Sequence, residues 1–339
     1  MEERGKRTGQ EACAGAYFDT ARNAWVLSRF DDVVAALRDP NLWPVSGKRE
    51  IQPDGRDEAG RLKERAAMLD SLAAARLEAW RPQLEAATAS LLAELPTDRQ
   101  VDLFHEFTLP WGLSLAMLVL DANPSDRERL SGLGNRVFAA TGASSDDTAL
   151  RADAAAATTE LEGIFASAPI PMGEPTFVAL SQTLPRLLAN CWLALLRQPE
   201  EAAQLRAQPE LMSGAIEELL RHAGIVRRVF RRATDDIELG GIRIARGELV
   251  VLMLADANRD PDRFPDPDRV SVTRQITSHV ALGTGRNSCV GAQLIRMAAS
   301  VATCLLLARF DLTLEGIGEL RTGSGFCFPS SVLVRLTPY

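Results

Sequence analysis

Apolar residues recur along this chain at two spacings. Near the start, AYFD and NAWVLSRF are short apolar runs and predict two strands within residues 16–30. Asp31 then stands where a helix cap belongs, at the head of DDVVAALRDP. From Asp57 to Leu95 the chain is rich in Ala, Leu, Glu and Arg, all good helix formers, and predicts two or three helices. Helical spacing continues through Val101–Leu120, Ser125–Ala140 and Asp146–Ser167. APIPMGEP, with three prolines and a glycine, predicts a linker. A long central helix over residues 176–197 and another over 209–222 come next.

The spacing then changes. Val226–Phe230, Ile237–Leu239, Ile242–Ile244 and Glu248–Met253 predict strands, with Gly240-Gly241 as a two-residue hairpin turn. The proline- and aspartate-rich ANRDPDRFPDPDRV has no period and predicts an ordered loop. After Cys289, the positions Leu294, Met297, Ala298, Val301, Leu305 and Ala308 return to helical spacing. There is no internal repeat. The pattern predicts one domain over residues 1–339, mainly α with small β-sheets, an α+β fold.

With 339 residues, 46% of them hydrophobic and 24% charged, the chain can bury a sizeable core. A net charge of −7 with mixed signs argues against nucleic acid as a partner and leaves a small molecule or a protein. The opening MEERGKRTGQEACAG has no apolar core of the secretory type. The most apolar helical stretch, Phe177–Leu196, is interrupted by Gln182, Pro185, Arg186 and Asn190, short of the roughly 20 apolar residues a membrane span needs. The expectation is a cytoplasmic protein without a membrane partner.

Cys13, Cys191, Cys289, Cys304 and Cys327 are scattered, with no CxxC pair, and the histidines are His105, His222 and His279. Neither a disulfide framework nor a zinc site is expected from this. A metal held by one cysteine must bring most of its ligands with it, as a porphyrin does.

Cys289 has the informative surroundings. In HVALGTGRNSCVGAQLIR, Gly283 and Gly285 allow tight turns and close approach to a flat ligand. A helix starting just beyond the cysteine turns unpaired N–H groups and a positive dipole end toward the sulfur, which favours the thiolate. A buried free cysteine ahead of a helix is the plainer reading of such a residue taken alone.

The stretch resembles the heme-binding loop of the cytochrome P-450 family, F-G-x-G-x-[HR]-x-C-x-G followed by a helix. Gly283, Gly285, Cys289, Gly291, Ala292, Leu294 and Arg296 fit that pattern. Leu282 stands where an aromatic is usual, and Asn287 where a cation normally meets a heme propionate. The resemblance implies heme b (iron protoporphyrin IX) with Cys289 as its axial metal ligand. Within AIEELLRHA, Glu218 and Arg221 share a helix face and resemble the family's E-x-x-R pair. The third member implied is Arg269 of PDPDRV. Arg231 and His279 match positions that reach a propionate. Together with EELLR, RRATDDIELGGIRIARGE and ANRDPDRFPDPDRV, the likeness is to the bacterial branch and runs from Tyr17 onward with gaps.

The chain also departs from the family. The oxygen-handling motif A-G-x-[DE]-T reads Ala179-Leu180-Ser181-Gln182-Thr183. Thr183 keeps the hydroxyl, whereas Gln182 replaces the proton-relaying acid, and an amide is no general acid at neutral pH. Pro185 cannot donate to the carbonyl of Ser181, which predicts a kink there. The H-x-x-x-R propionate contact becomes Ala59 and Lys63. Between Ile164 and Phe177 the chain lacks a stretch that members use for the lid, and an open distal face is expected.

Three functions are compatible with these features. The first is an O₂-dependent monooxygenase acting on a small or carrier-bound natural-product intermediate, reduced by a ferredoxin or flavodoxin docking near Arg286 and Arg296. The second is an atypical heme-thiolate enzyme, a peroxygenase, dehydratase or isomerase, suggested by Gln182 and Leu180. The third is a heme-free activator of another enzyme such as a glycosyltransferase. In each, a partner protein can cover the open distal face.

Overall fold

The structure is a computed structural model and describes residues 15–46, 49–50, 55–141, 147–276, 278–323 and 325–339. Cys13 and the polar opening residues lie outside these. The backbone divides into two compact units, each drawn from three stretches of chain. One takes residues up to 58, 226–269 and 278–289; the other takes 59–225, 270–277 and 290–339.

The first unit is built on a sheet whose strands run, edge to edge, Ala16–Asp19, Ala24–Leu27, Leu249–Leu252, Val229–Ala233, Leu42–Ser46 and Arg49–Glu50. Ala24–Leu27 and Leu249–Leu252 pair in parallel, and the other neighbours are antiparallel. Leu27, Val33, Leu42, Ile244, Val250 and Leu252 fill the core beneath it. The predicted Gly240-Gly241 turn is present, with φ of 59° and 74°, joining Ile237–Leu239 to Ile242–Ile244.

The helix Phe30–Arg38 corrects one expectation. Asp31 lies in its first turn and does not cap it; Arg29 holds the cap position without a side-chain bond. The free N–H of Phe30 instead donates to Asp260 Oδ2 at 2.8 Å. A carboxylate remote in sequence therefore satisfies one of the free N–H groups at the start of this helix.

The second unit is mostly helical. The post-cysteine helix Ala292–Arg309 packs on Ala74–Glu94, and Met212–Ala223 packs on Leu184–Leu196. Two buried tryptophans fix this layering. Trp192 Nε1 donates to Thr303 Oγ1 and Trp111 Nε1 donates to Thr88 Oγ1, both at 2.9 Å, so neither indole is left unsatisfied in the core. At the C-terminus Phe310–Ile317 pairs with Val332–Pro338, which in turn pairs with Gln100–Asp102.

The last pairing corrects the helix expected over Val101–Leu120. Gln100–Asp102 is a strand, Leu103–Thr108 is wide π-type helix, and the α-helix proper is Leu109–Leu120. Asp102 ends the strand because its carboxylate accepts the N–H of Phe104 at 3.0 Å. Gly173, Glu174 and Pro175, expected in a linker, form the first turn of the central helix, where a proline's missing N–H has no partner to lose.

Two 18-residue helical stretches, Leu103–Leu120 and Ala292–Arg309, are long and apolar enough to cross a membrane, against the expectation that no segment is. They are 67% and 50% buried inside the protein.

Candidate active site

The cysteine loop belongs to the first unit. Val280 N–H donates to the buried Asn258 Oδ1 at 2.8 Å, which anchors the loop's start. Gly283 N–H then donates to Val280 O at 3.0 Å, and Cys289 N–H closes back onto Leu282 O at 2.8 Å. Gly283 and Gly285 have φ of 68° and 72°, the left-handed region that an L side chain rarely adopts. At Gly285 a Cβ would also lie 3.1 Å from Leu37 O. Gly285–Asn287 form a single 3-10 turn, with Ser288 N–H donating to Gly285 O at 3.1 Å. Cys289 emerges from this pinned backbone half-buried, and the helix that follows begins at Ala292.

Beside the loop lies a concentration of cations. Arg231, on the strand Val229–Ala233, is only 6% exposed. Its Nη1 donates to Phe230 O at 2.9 Å, and its Nε is buried without a hydrogen-bond partner among the described residues. Burial first, and repulsion from Arg286 second, bring its pKa down to about 10. Arg286 stacks on Trp43 at 5.1 Å and bonds the Pro40 carbonyl. His279 Nδ1 accepts the N–H of Ala281 at 3.2 Å.

In the second unit, Glu218 and Arg221 are completely buried and doubly bonded, Nε to Oε2 at 2.7 Å and Nη2 to Oε1 at 2.9 Å. Glu218 Oε1 also accepts from Ser271 N–H and from Arg274 Nε, each at 3.0 Å. Arg274 was not singled out from the sequence. The backbone N–H of Arg269, the third member that the resemblance implies, donates to Asp266 O at 3.1 Å.

The predicted kink in the central helix takes the form of a π turn over Ala179–Thr183. Pro185 offers no N–H, and Leu184 N–H reaches back five residues to Ala179 O. Gly112 on the facing helix makes room: a Cβ there would lie 2.2 Å from Pro185 Cγ and 2.7 Å from Leu180 O. Leu180, Ser181 and Gln182 are buried and Thr183 half-buried. Arg186 Nη1 donates to Gln182 O at 2.6 Å and to Gln182 Oε1 at 3.1 Å. Lys63 is exposed on the helix Gly55–Ser71. Arg296 is held by Glu217 in a two-point pair of 2.7 and 3.0 Å. Arg286 and Arg296, expected as docking cations, therefore both spend charge or surface on internal contacts.

Comparison with known proteins decides the family. The cytochrome P450 family model matches residues 196–329. Cytochrome P450 107B1 of Saccharopolyspora erythraea is 30% identical over 337 residues, covering 85% of this chain and 82% of its own. The chain belongs to the cytochrome P450 family. Two solved P450s share its fold. CYP109B1 of Bacillus subtilis has a TM-score of 0.83 at 23% identity, covering 95% of this chain and 96% of its own. P450BioI, solved with a fatty-acyl carrier protein, has a TM-score of 0.80 at 22% identity, covering 93% and 92%.

As a P450, this protein is an enzyme of the monooxygenase type with a heme-iron cofactor. The residues of the first unit fit that group. Arg231 is a buried cation whose Nε has no hydrogen-bond partner among the described residues, and an anion such as a propionate suits it. The left-handed glycines keep Cβ atoms off the loop, and Cys289 offers a sulfur that is not sealed in the core. Among the described residues no three or more His, Cys, Asp or Glu side chains cluster to hold a metal.

Arg186 and Gly112 are the residues that sequence reasoning missed near the π turn. Arg186 could have been found as the one charged residue in LPRLLANCWLALL, four residues from Gln182. Nothing in the sequence pairs Gly112 with Pro185.

Proposed function

We propose that this P450 holds heme b through the thiolate of Cys289 and oxidises a small or carrier-bound natural-product intermediate with O₂. The observation that carries the reading is Arg231, buried beside Arg286 in the same unit as the cysteine loop, with no partner for its Nε among the described residues. Arg231 and His279 bind the propionates, with Asn287 and Lys63 as weaker contacts. Gly283, Gly285 and Gly291 keep the loop clear of side chains, and the Glu218–Arg221 pair with Arg269 braces the chain that leads to it. Bound in the family's manner, a heme-thiolate supplies the oxidising chemistry of a monooxygenase. Thr183 offers a hydroxyl on the π turn for a proton-transfer chain. A ferredoxin or flavodoxin delivers electrons, and a carrier or other partner protein covers the face left by the shortened lid.

The test is the absorption spectrum of the reduced, carbon monoxide-treated protein beside Cys289→Ser. A strongly red-shifted Soret band that disappears in the variant supports thiolate ligation. An unshifted band, or one that survives the substitution, sinks the assignment of Cys289.

One observation favours a second reading. Gln182, in the place of the relay acid, is an amide whose oxygen is occupied by Arg186. It neither donates a proton as an acid nor turns away without breaking that bond. This favours a peroxygenase, dehydratase or isomerase. Product formed with peroxide or without oxidant, and not with O₂ and a reduced ferredoxin, would select it.

A further inference from the structure

Arg186 sits in unusual company. Its guanidinium carbon lies 3.8 Å from the centroid of the Phe138 ring, 5.2 Å from that of Phe104 and 5.3 Å from that of Phe328. Among the described residues it makes no ion pair, and its Nε is buried without a hydrogen-bond partner. Burial pushes its pKa down to about 10, the mark of a cation held where water is scarce. Only Nη1 is used, on Gln182. The side chain lines a cavity of about 500 Å³ whose walls include Phe138, Phe326 and Phe328 and whose rim carries Arg321. Arg321 is 63% exposed and reaches Glu319 only at 3.6 Å.

A desolvated guanidinium without a countercharge is costly unless something anionic meets it. Aromatic faces stabilise it in part, and they also form walls suited to a flat apolar body. We infer that this cavity binds a small monocarboxylic acid with an aromatic or flat apolar body, its carboxylate on Arg186 and its body among Phe138, Phe326 and Phe328. Every residue involved belongs to the second unit, and the inference does not depend on how heme is held.

The experiment is calorimetric titration of the full-length, heme-loaded protein with 3-phenylpropanoate and with the isosteric 3-phenylpropanamide. The acid should bind at least about tenfold more tightly, the discrimination expected of a charge-assisted hydrogen bond. In Arg186→Met that preference should vanish while the amide still binds, because the flat body keeps its aromatic walls. Ala139→Trp, at an exposed rim position, should block both probes and so place them in this cavity. If Arg186→Met does not fold, the acid-to-amide ratio of the wild type and the Ala139→Trp block decide the matter. Equal binding of acid and amide, no binding of either, an acid preference that survives Arg186→Met, or binding unaffected by Ala139→Trp overturns the inference. So does equal loss of both probes in Arg186→Met, which would mark Arg186 as a structural clamp on Gln182.

Discussion

Arg186 and Gln182 are joined twice by one nitrogen: Nη1 of the arginine donates to the backbone carbonyl and to the side-chain oxygen of the glutamine. The amide sits where the family's relay acid is expected. The contact ties the side chain of the π turn to the helix that continues from it, and among the described residues it leaves the Arg186 charge without an acid.

Replacing Gln182 by Glu should therefore stabilise the protein. The new carboxylate would meet Arg186 at the present 3.1 Å contact and turn a charge–dipole bond into an ion pair in a poorly solvated place. We expect a gain of about 1–2 kcal/mol at pH 7 by urea denaturation. The arginine lowers the carboxyl's folded pKa, so the gain is complete above the unfolded value of about 4.3 and is lost as pH falls through the lower folded value. A gain unchanged at about pH 3 would show that charge is not its source.

Gly112→Ala should be among the most damaging methyl additions in the second unit. Its Cβ would meet the Leu180 carbonyl at 2.7 Å and Pro185 Cγ at 2.2 Å, and a backbone oxygen cannot rotate away. A loss of about 2–3 kcal/mol is expected. Adding Pro185→Ala should return part of it, by removing the ring and letting the π turn relax. Wild-type stability in Gly112→Ala would mean that the two helices are not seated as described.

Glu218→Gln should cost more. Glu218 is fully buried and accepts from Arg221 twice, from Arg274 and from the Ser271 N–H. Taking its charge away leaves a buried guanidinium facing a dipole, for a loss of about 3–5 kcal/mol in thermal or urea unfolding. Arg274→Gln, on a partly exposed partner, should cost about 1 kcal/mol. Equal effects from the two would show that the charge of Glu218 is not what the cluster needs.

The candidate site was legible where chemistry is local and opaque where it depends on folding. The glycines around Cys289 could be read because a positive φ restricts residue type at a single position, and both are left-handed as needed. Glu218 and Arg221 could be read because their spacing alone puts them on one helix face. Arg274 lies in a loop without a period, so nothing in the spacing marks it as a partner of Glu218. Asp260 on Phe30 and Gly112 against Pro185 are contacts between residues far apart in the chain, and neither partner's neighbours signal the other. The fold shows the same division. The Gly240-Gly241 hairpin followed from turn chemistry, whereas the strand Gln100–Asp102 is a strand because Leu333–Arg335 pairs with it.

Arg231 carries the prediction that separates stability from cofactor binding. In the folded protein its pKa is brought down to about 10, well below the ordinary arginine value, chiefly through burial and then through Arg286. A base whose folded pKa is lowered opposes folding wherever it is charged, so the penalty is complete below about 10 and fades only as pH rises toward the unfolded value. Arg231→Met should accordingly make the heme-free protein more stable by about 1–3 kcal/mol, evenly from about pH 6 to about pH 9. On the proposed role of Arg231 as a propionate contact, the same change should loosen heme. Transfer of heme to an excess of apomyoglobin should be about tenfold faster from the variant than from the wild type. A residue kept only for packing would show the reverse, with lower stability and an unaltered rate of heme loss. A cation that destabilises the empty protein and retains the loaded one is what an anion-bearing cofactor selects for, and the two measurements on one variant distinguish it from packing.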